Sequence, residues 1–178
     1  MTNIEFNGSI IDSNTDFIAE SRKFYDLMRK DWDDMSLEER KLVNSVRALN
    51  LSERTIIYLP SWMNQFKNLQ VLILHNSYLS KLPSSIKSLK SKLEWLDLSS
   101  NSFHRFPREI CSLKSLRFLD LCLCSLEHID ACISGLQNLQ SLDLSYNMLT
   151  RLPKEIKNLK KLRHFDISHN AFPPNYNF

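Results

Sequence analysis

The sequence of 178 residues predicts an α/β fold in which short units stack side by side into an open solenoid. Leucines and their substitutes recur on a fixed grid, and the spacing between units is 23 or 24 residues, a period typical of stacked architectures. Each unit also has apolar residues two apart, which places both on one face of a short strand. A single unit is too small to form its own core, so neighbouring units must share one. The units begin at Val46, Leu69, Leu93, Leu116, Leu139 and Leu162.

The repeating unit reads L-x-x-L-x-L-x-x-N-x-L, followed by x-x-L-P-x-x-I-x-x-L, and we number its positions from the first leucine. The L-x-L pair predicts a strand of a parallel sheet on the inner, concave side, and the second half returns the chain as a loose helical or extended segment. Position 9 carries Asn101, Asn147 and Asn170 in three units. These amides lie at a sharp bend, where they can bind loop backbone that would otherwise be buried without a partner.

This grid resembles the leucine-rich-repeat family, and specifically the 23-residue intracellular type of the Ras-suppressor, Scribble and Shoc-type scaffold proteins. The resemblance covers residues 46 to about 172. It implies a right-handed superhelix with a curved parallel sheet on the concave face, and a function in protein binding. Small GTPases, phosphatase subunits and signalling scaffolds are the partners it suggests. Similar free-standing repeat proteins also occur as effectors that bacteria inject into host cells.

Several units depart from the pattern. Arg54, Ser77 and Cys124 occupy position 9 in the first, second and fourth units. Cysteine is small and tolerates burial, whereas arginine at this position indicates that the first unit is an atypical, capping repeat. Asp130 stands where other units have proline, which predicts a less rigid turn.

The chain ends are expected to differ from the repeats. Residues 1–14 contain Asn7-Gly8, a hairpin signal, and are either a hairpin or disordered. Residues 15–44 are predicted to form a helical cap, with an amphipathic helix over 16–33 that Asn14 or Thr15 caps. A second helix should begin at the capping box from Ser36 to Glu39. Residues 45–172 form the six repeats.

The tail, residues 173–178, contains no candidate for a second capping helix. Three explanations are open for the downstream end of the solenoid. The aromatic tail folds over the last strand, another chain covers it, or the sequence is a fragment of a longer protein.

Composition excludes several classes of function. Apolar residues make up 43% and charged residues 24%, and the net charge of +3 is too small to predict nucleic acid or anionic membrane as the main partner. No apolar run is long enough for membrane insertion. The two glycines cannot build a phosphate-binding loop.

Two features predict a reducing, cytoplasmic compartment, or host cytoplasm for a bacterial effector. The first residues lack the pattern of a secretory signal. The four cysteines, Cys111, Cys122, Cys124 and Cys132, lie in one short stretch rather than being spread through the chain. Cys111 and Cys132 fall on the convex side in adjacent units and can approach each other, but we expect free thiols.

Positions 3, 5 and 7 of each unit should point outward from the concave side, and they define the predicted binding face. Val71, Ile73, Trp95 and Phe118 form an apolar cluster on this face, where water is expected. Exposed apolar patches mark interaction sites, and tryptophan is enriched among binding hot spots. Alternatively, these side chains lean on one another or on an N-terminal segment.

An acidic ladder runs beside the apolar cluster at position 5: Asp97, Asp120, Asp143 and Asp166. Carboxylates one strand spacing apart repel each other, so a basic partner would relieve the strain. The same aspartates are also a frequent default of the family, which leaves a purely structural role open. Tyr146 at the rim and His164 at position 3 complete the predicted partner-binding site.

No catalytic, cofactor or metal site is predicted, and the chain is expected not to be an enzyme. His164, Asp166 and His169 form a conceivable ligand trio, but separate surface side chains are the simpler interpretation. The predicted function is a non-enzymatic protein-interaction module that uses the concave face. The alternative is a substrate-targeting domain of a larger enzyme, such as a ubiquitin ligase.

Overall fold

The computed structural model describes residues 4–6, 9–11 and 16–176. Two short strands, β1 (Ile4–Phe6) and β2 (Ser9–Ile11), pair antiparallel near the start, with Ile4 opposite Ile11. Two helices follow, α1 (Asp16–Leu27) and α2 (Leu37–Ser45). Six strands then form a parallel sheet: β3 (Ala48–Asn50), β4 (Val71–Ile73), β5 (Trp95–Asp97), β6 (Phe118–Asp120), β7 (Ser141–Asp143) and β8 (His164–Asp166).

The order of the sheet is the order of the chain, from β3 to β8, and it does not close. Each strand pairs with the equivalent residues of the next repeat, so that Trp95 lies opposite Phe118 and Asp97 opposite Asp120. This register is the one the repeat grid predicts. Residues at the same position of successive repeats therefore lie beside one another and form columns across the sheet.

The convex side consists of short 3₁₀ helices, one between each pair of strands. They span Ser61–Gln65, Ser84–Ser91, Arg108–Ser112, Ala131–Gly135 and Lys154–Asn158. A proline with extended backbone precedes four of them, because proline suits the start of a helix. Between sheet and helices lies one continuous leucine core, in which Leu96, Leu119 and Leu142 are at most 2% exposed.

The N-terminal helices cover one end of this core. Phe24 and Leu27 of α1 and Val43 of α2 are buried, and they belong to the same apolar cluster as the repeats. The predicted capping box at the start of α2 is present: Glu39 N donates to Ser36 Oγ at 3.2 Å, and Ser36 N donates to Glu39 Oε2 at 2.8 Å.

The first helix is shorter than the sequence predicts. It ends at Leu27 rather than Asp33, and a separate 3₁₀ turn spans Trp32–Asp34. The early end frees the Lys30 carbonyl, which accepts a hydrogen bond from the Trp62 indole at 2.9 Å, while the rings of Trp32 and Trp62 pack 5.8 Å apart. Tertiary packing thus overrides the helical periodicity here. The proposed caps Asn14 and Thr15 lie outside the described residues.

The turn at Asp130 is not left loose by the loss of proline. Asp130 Oδ1 accepts a hydrogen bond from Cys132 N at 2.8 Å, which caps the following 3₁₀ helix. Its Oδ2 lies 3.1 Å from Arg108 Nε of the preceding repeat. An aspartate at a helix start satisfies an orphan N–H, so the side chain replaces the backbone restraint of proline.

Cys111 and Cys132 form a disulfide between two neighbouring convex turns. The expectation of free thiols is therefore wrong for this pair, and holds for Cys122 and Cys124. The two bonded residues occupy different repeat positions, 19 and 17, so the repeat grid alone does not place their side chains opposite each other.

Candidate functional site: the concave face

The asparagine column fixes the edge of the concave face. The amide of Asn147 donates to the carbonyls of Leu121 and Leu144 at 2.8 and 3.0 Å, and its oxygen accepts from Leu126 N at 2.9 Å. Asn101 repeats this arrangement two turns of the solenoid earlier. These bonds satisfy buried backbone groups where the chain leaves the sheet.

The two small substitutes at position 9, Ser77 and Cys124, keep only part of this function. Ser77 Oγ donates to Leu51 O at 3.2 Å, and Cys124 Sγ donates to Leu98 O at 3.1 Å. Burial raises the pKa of the Cys124 thiol to about 12, which keeps it protonated as a donor. Both side chains are small enough for the bend, and they reach one carbonyl of the preceding repeat as asparagine does.

Position 8 has left-handed backbone in all six units, with φ between 51° and 57°, although none of these residues is glycine. They are Glu53, Asn76, Ser100, Leu123, Tyr146 and His169. In the first five units a hydrogen bond to the next repeat holds the conformation: Tyr146 N, for example, donates to Ser168 O at 3.0 Å. Side chains at position 8 consequently stand out at the rim, where Leu123 and Tyr146 are about half exposed.

The aspartates of position 5 have a structural role. In each unit Oδ1 accepts the N–H of the residue two positions later, at 2.9 Å for Asp97 and for Asp120 and at 2.8 Å for Asp143 and for Asp166. This bond turns the chain at the end of the strand. The ladder is therefore built into the fold, and it also presents negative charge on the concave face.

Asp120, in the middle of the ladder, has an unusual pKa. Burial is the largest cause, and the neighbouring carboxylate of Asp97 adds repulsion; together they raise the pKa of Asp120 from 3.8 to about 7. At the end of the ladder, hydrogen bonds from Ser168 lower the pKa of Asp166. Asp120 at the centre of the ladder is therefore protonated, and loses its negative charge, as pH falls through about 7. Asp166 at the exposed end keeps its negative charge at this pH.

Trp95 and Phe118 form the centre of the concave face. Their rings stack with centroids 4.5 Å apart and an interplanar angle of 26°, and both are half-buried. The Arg117 guanidinium lies 5.9 Å from the centre of the Phe118 ring. The pair offers a rigid aromatic surface to a ligand while its rings also support each other.

Val71 and Ile73 do not face water as the sequence analysis expects. They are 1% and 9% exposed, although they lie outside the main leucine core. Both are short aliphatic side chains on β4, and the register places Val71 beside the much larger Trp95 indole. The water-accessible part of the apolar cluster is consequently Trp95 and Phe118.

The remaining predicted residues lie toward the C-terminal end. Tyr146 stacks on His169 with centroids 4.1 Å apart at the rim. His164 and Asp166 of β8 are exposed. The structure therefore places Trp95 and Phe118 beside the aspartate ladder, which continues from Asp143 to Asp166. It sets Tyr146 and His164 apart from the aromatic stack.

Neither a metal nor a membrane segment stands out in the part of the chain that the structure describes. No group of three His, Cys, Asp or Glu side chains there is arranged to hold a metal ion. No helix among residues 16–176 is long and apolar enough to cross a membrane.

The sequence analysis missed one surface, a row of basic side chains at position 13. Lys81, Arg105, His128 and Arg151 occupy this position in four successive units, and all four are exposed. We call this row the basic rim. The repeat grid contains the signal, but only positions 3, 5, 7 and 8 were followed along the solenoid.

Residues 67–126 and 119–172 match the family model described as leucine rich repeat, which covers more than half of the chain. The chain belongs to the leucine-rich-repeat family. The match is to the family as a whole, so the resemblance to Ras-suppressor, Scribble and Shoc-type scaffolds stays a prediction.

Two curated relatives place the repeats within much longer proteins. The disease resistance protein UNI of Arabidopsis thaliana is 35% identical over 59% of this chain and 14% of its own length. A MAP kinase phosphatase with leucine-rich repeats from Dictyostelium discoideum is 35% identical over 46% of this chain and 10% of its own length. The chain therefore spans a small part of these relatives.

Solved structures show the same solenoid. A leucine-rich-repeat protein of Leptospira interrogans is 32% identical, with a TM-score of 0.60, over 76% of this chain and 40% of its own. The Arabidopsis receptor kinase HAESA ectodomain, solved in complex with a peptide hormone, is 32% identical, with a TM-score of 0.56, over 71% of this chain and 21% of its own. Both confirm the fold, with its open sheet of parallel strands.

Proposed function

We propose that the protein binds a partner protein on its concave face and is not an enzyme. The observation that carries this proposal is the partly exposed Trp95–Phe118 stack at the centre of the sheet. A rigid aromatic pair in the middle of a concave surface has the character of a binding hot spot. The family is one of binding modules, and the HAESA complex shows such a solenoid holding a peptide.

The aspartate ladder indicates which kind of partner surface the concave face would bind. Asp97, Asp120 and Asp143 lie in register next to the stack, so a segment with basic side chains fits this face. Because the pKa of Asp120 is about 7, the face gains negative charge as pH rises through neutrality. Binding of a basic segment should therefore be tighter at pH 8 than at pH 6.

A small GTPase, a phosphatase subunit or another signalling protein is the class of partner that we propose, in a signalling scaffold or a bacterial effector. A targeting role within a larger enzyme is the second candidate. The observation that favours it is the Dictyostelium phosphatase with leucine-rich repeats, in which the segment similar to this chain spans about 10% of the protein. Extension of the reading frame into a catalytic domain would support this candidate, and a stop codon after Phe178 would count against it.

The experiment is affinity capture from lysate with immobilised wild type and the variant Trp95→Ala/Phe118→Ala. A matched control is Tyr58→Ala/Tyr78→Ala, which removes two exposed aromatic rings away from the concave face. We expect partners to be lost only in the concave variant. Retention of the same partners by both variants would show that the concave assignment is wrong.

A second variant separates binding from folding. Asp97→Asn/Asp143→Asn keeps the Oδ1 acceptor of each turn and removes the negative charge at both positions. Urea unfolding of each variant identifies any that fail to fold. A folded charge-removal variant that retains a basic partner at full affinity would exclude the ladder from the interface.

A cytoplasmic location is also a proposal. The Cys111–Cys132 disulfide weighs against it, because disulfides are rare in reducing compartments. Alkylation of the thiols in intact producing cells decides the matter. Modification of Cys111 and Cys132 supports the cytoplasm, whereas protection of both requires an oxidising compartment.

A further inference from the structure

The basic rim has a cavity at its centre. Between the third and fifth units lies an open cavity of about 560 Å³, lined by Arg105, Arg108, His128, Arg151, Glu127 and Asp130 among others. Three successive units thus contribute a basic side chain from position 13 to one depression. It lies on the rim, away from the Trp95–Phe118 stack.

The charges in this cavity are unequally paired. Arg108 is neutralised by Asp130, with Nε 3.1 Å from Oδ2. Within the described residues, the guanidinium groups of Arg105 and Arg151 have neither an ion pair nor a hydrogen bond. Two exposed guanidiniums therefore face the cavity with their donors free for a ligand.

The opposite edge of the solenoid provides a contrast. At position 2, Arg117 lies between Glu94 and Gln140 of the neighbouring units, at 3.4 and 3.3 Å. Its donors are used within the fold. Arg117 shows that an arginine on this solenoid can find partners in the neighbouring units. The unpaired guanidinium groups of Arg105 and Arg151 therefore distinguish the basic rim.

We propose that this cavity binds a phosphorylated side chain of an extended peptide segment in a partner protein. The third and fifth units are two strand spacings apart, about 10 Å, so two long arginine side chains can converge above His128 from either side. The planar guanidinium presents paired donors that match phosphate oxygens.

The carboxylate of Glu127 in the same cavity favours phosphate over a simple acid. A ligand must carry more negative charge than the carboxylate already present, and a phosphate monoester carries about −1.5 to −2 at neutral pH. The basic rim is only one residue wide, and Glu127 and Asp130 lie within its cavity. Nucleic acid or an anionic membrane binds a broader basic surface, whereas a single phosphate on a peptide needs only the cavity.

The test uses the full chain and a short fluorescein-labelled peptide with one central phosphoserine among alanine and glycine. Fluorescence anisotropy compares wild type with Arg105→Gln/Arg151→Gln. The matched control is Arg47→Gln/Arg163→Gln, which removes the same charge from exposed arginines at position 2. Two further probes are the unphosphorylated peptide and a version with glutamate in place of phosphoserine.

We expect the affinity for the phosphopeptide to fall by about tenfold or more in Arg105→Gln/Arg151→Gln, and by less than about twofold in the control. The serine and glutamate peptides should bind wild type at least about tenfold more weakly than the phosphopeptide. Trp95→Ala/Phe118→Ala should leave phosphopeptide binding unchanged, so this result is independent of the concave face.

Four outcomes would overturn the proposal. Absence of phosphopeptide binding removes the site. Equal losses in the two arginine pairs would show attraction to net charge rather than to the cavity. Equal binding of the glutamate peptide would exclude phosphate recognition, and stronger binding to vesicles containing phosphatidylserine than to the phosphopeptide would assign the rim to a membrane.

Discussion

Each end of the solenoid must cover the apolar core of its terminal repeat, and the N-terminal end does so with much more structure than the C-terminal end. At the N-terminal end, α1 and α2 bury Phe24, Leu27 and Val43 over the first repeat. At the C-terminal end, Leu162, Phe165 and Ile167 of the last repeat are only partly buried. The same repeat positions are almost fully buried one unit earlier, at Leu139, Leu142 and Leu144.

The C-terminal end is covered by a short stretch of chain. The rings of Phe172 and Tyr176 stack 4.6 Å apart, and the Tyr176 hydroxyl accepts a hydrogen bond from Leu152 N at 2.7 Å. The contrast teaches that a leucine stabilises this fold only when a unit lies on both sides of it. Stability should therefore be graded along the chain, and lowest toward β8.

The largest expected effect is where the first repeat packs against the N-terminal cap. Trp62→Ala removes a buried indole that packs against Trp32 and Phe66 and donates to Lys30 O, and should cost about 3–5 kcal/mol. Phe172→Ala at the other end should cost about 1–2 kcal/mol, because its ring is only partly buried. Urea unfolding measures both, and equal losses would contradict the graded stability.

The asparagine column allows the same substitution to be compared inside the solenoid and at its C-terminal end. Asn147→Ala leaves several buried backbone groups without partners and should cost about 2–4 kcal/mol. Asn170→Ala should cost about 1 kcal/mol, because water can reach the carbonyls that it binds. Unfolding free energies in urea test the pair, and a larger loss at Asn170 would reverse the comparison.

The aspartate ladder provides a comparison that depends on pH. The folded protein binds a proton at Asp120 more tightly than the unfolded chain, since the pKa rises from 3.8 to about 7. The unfolding free energy therefore falls as pH rises from about 4 to about 7, and this loss is complete above that range. Asp120→Asn should stabilise the protein by about 2 kcal/mol at pH 8 and have little effect near pH 4.

The matched control for this prediction is Asp166→Asn at the exposed end of the ladder. Hydrogen bonds from Ser168 lower the pKa of Asp166, so removal of its charge should give no stabilisation at pH 8. Thermal unfolding at both pH values distinguishes the variants. A gain at Asp166 as large as that at Asp120 would show that overall charge, rather than burial, is responsible.

The smallest expected effect concerns the tail. Tyr176→Phe keeps the stack on Phe172 but removes the acceptor of Leu152 N, and should cost about 1 kcal/mol. The exposed Tyr78 gives the control, because Tyr78→Phe removes a hydroxyl from a side chain that is 63% exposed. Amide exchange of Leu152 should become faster only in the first variant.

The sequence predicts most of the fold because each repeat presents its structure locally. The strand register, the column at Asn147 and the capping box at Ser36 all follow from residues spaced a few positions apart. Stacking then repeats this local structure in each successive unit. The early end of α1 was missed, because it depends on Trp62, which is distant in sequence.

The candidate site was harder to predict. The sequence places Trp95 and Phe118 side by side, but the burial of Val71 and Ile73 depends on packing above the sheet rather than on the repeat. The Cys111–Cys132 bond joins positions that differ between units, so the grid does not bring them together. The pKa of Asp120 arises from desolvation, which no pattern of residues reports.

The left-handed backbone at position 8 has a consequence for the evolution of this surface. Because hydrogen bonds between units enforce the conformation, residues as different as Glu53, Leu123 and Tyr146 adopt it equally well. The side chain there contributes little to folding and points to solvent. A single mutation at position 8 can therefore change the side chain that a unit displays at the rim without changing the fold. New binding specificity can evolve on this surface while selection continues to maintain the same solenoid.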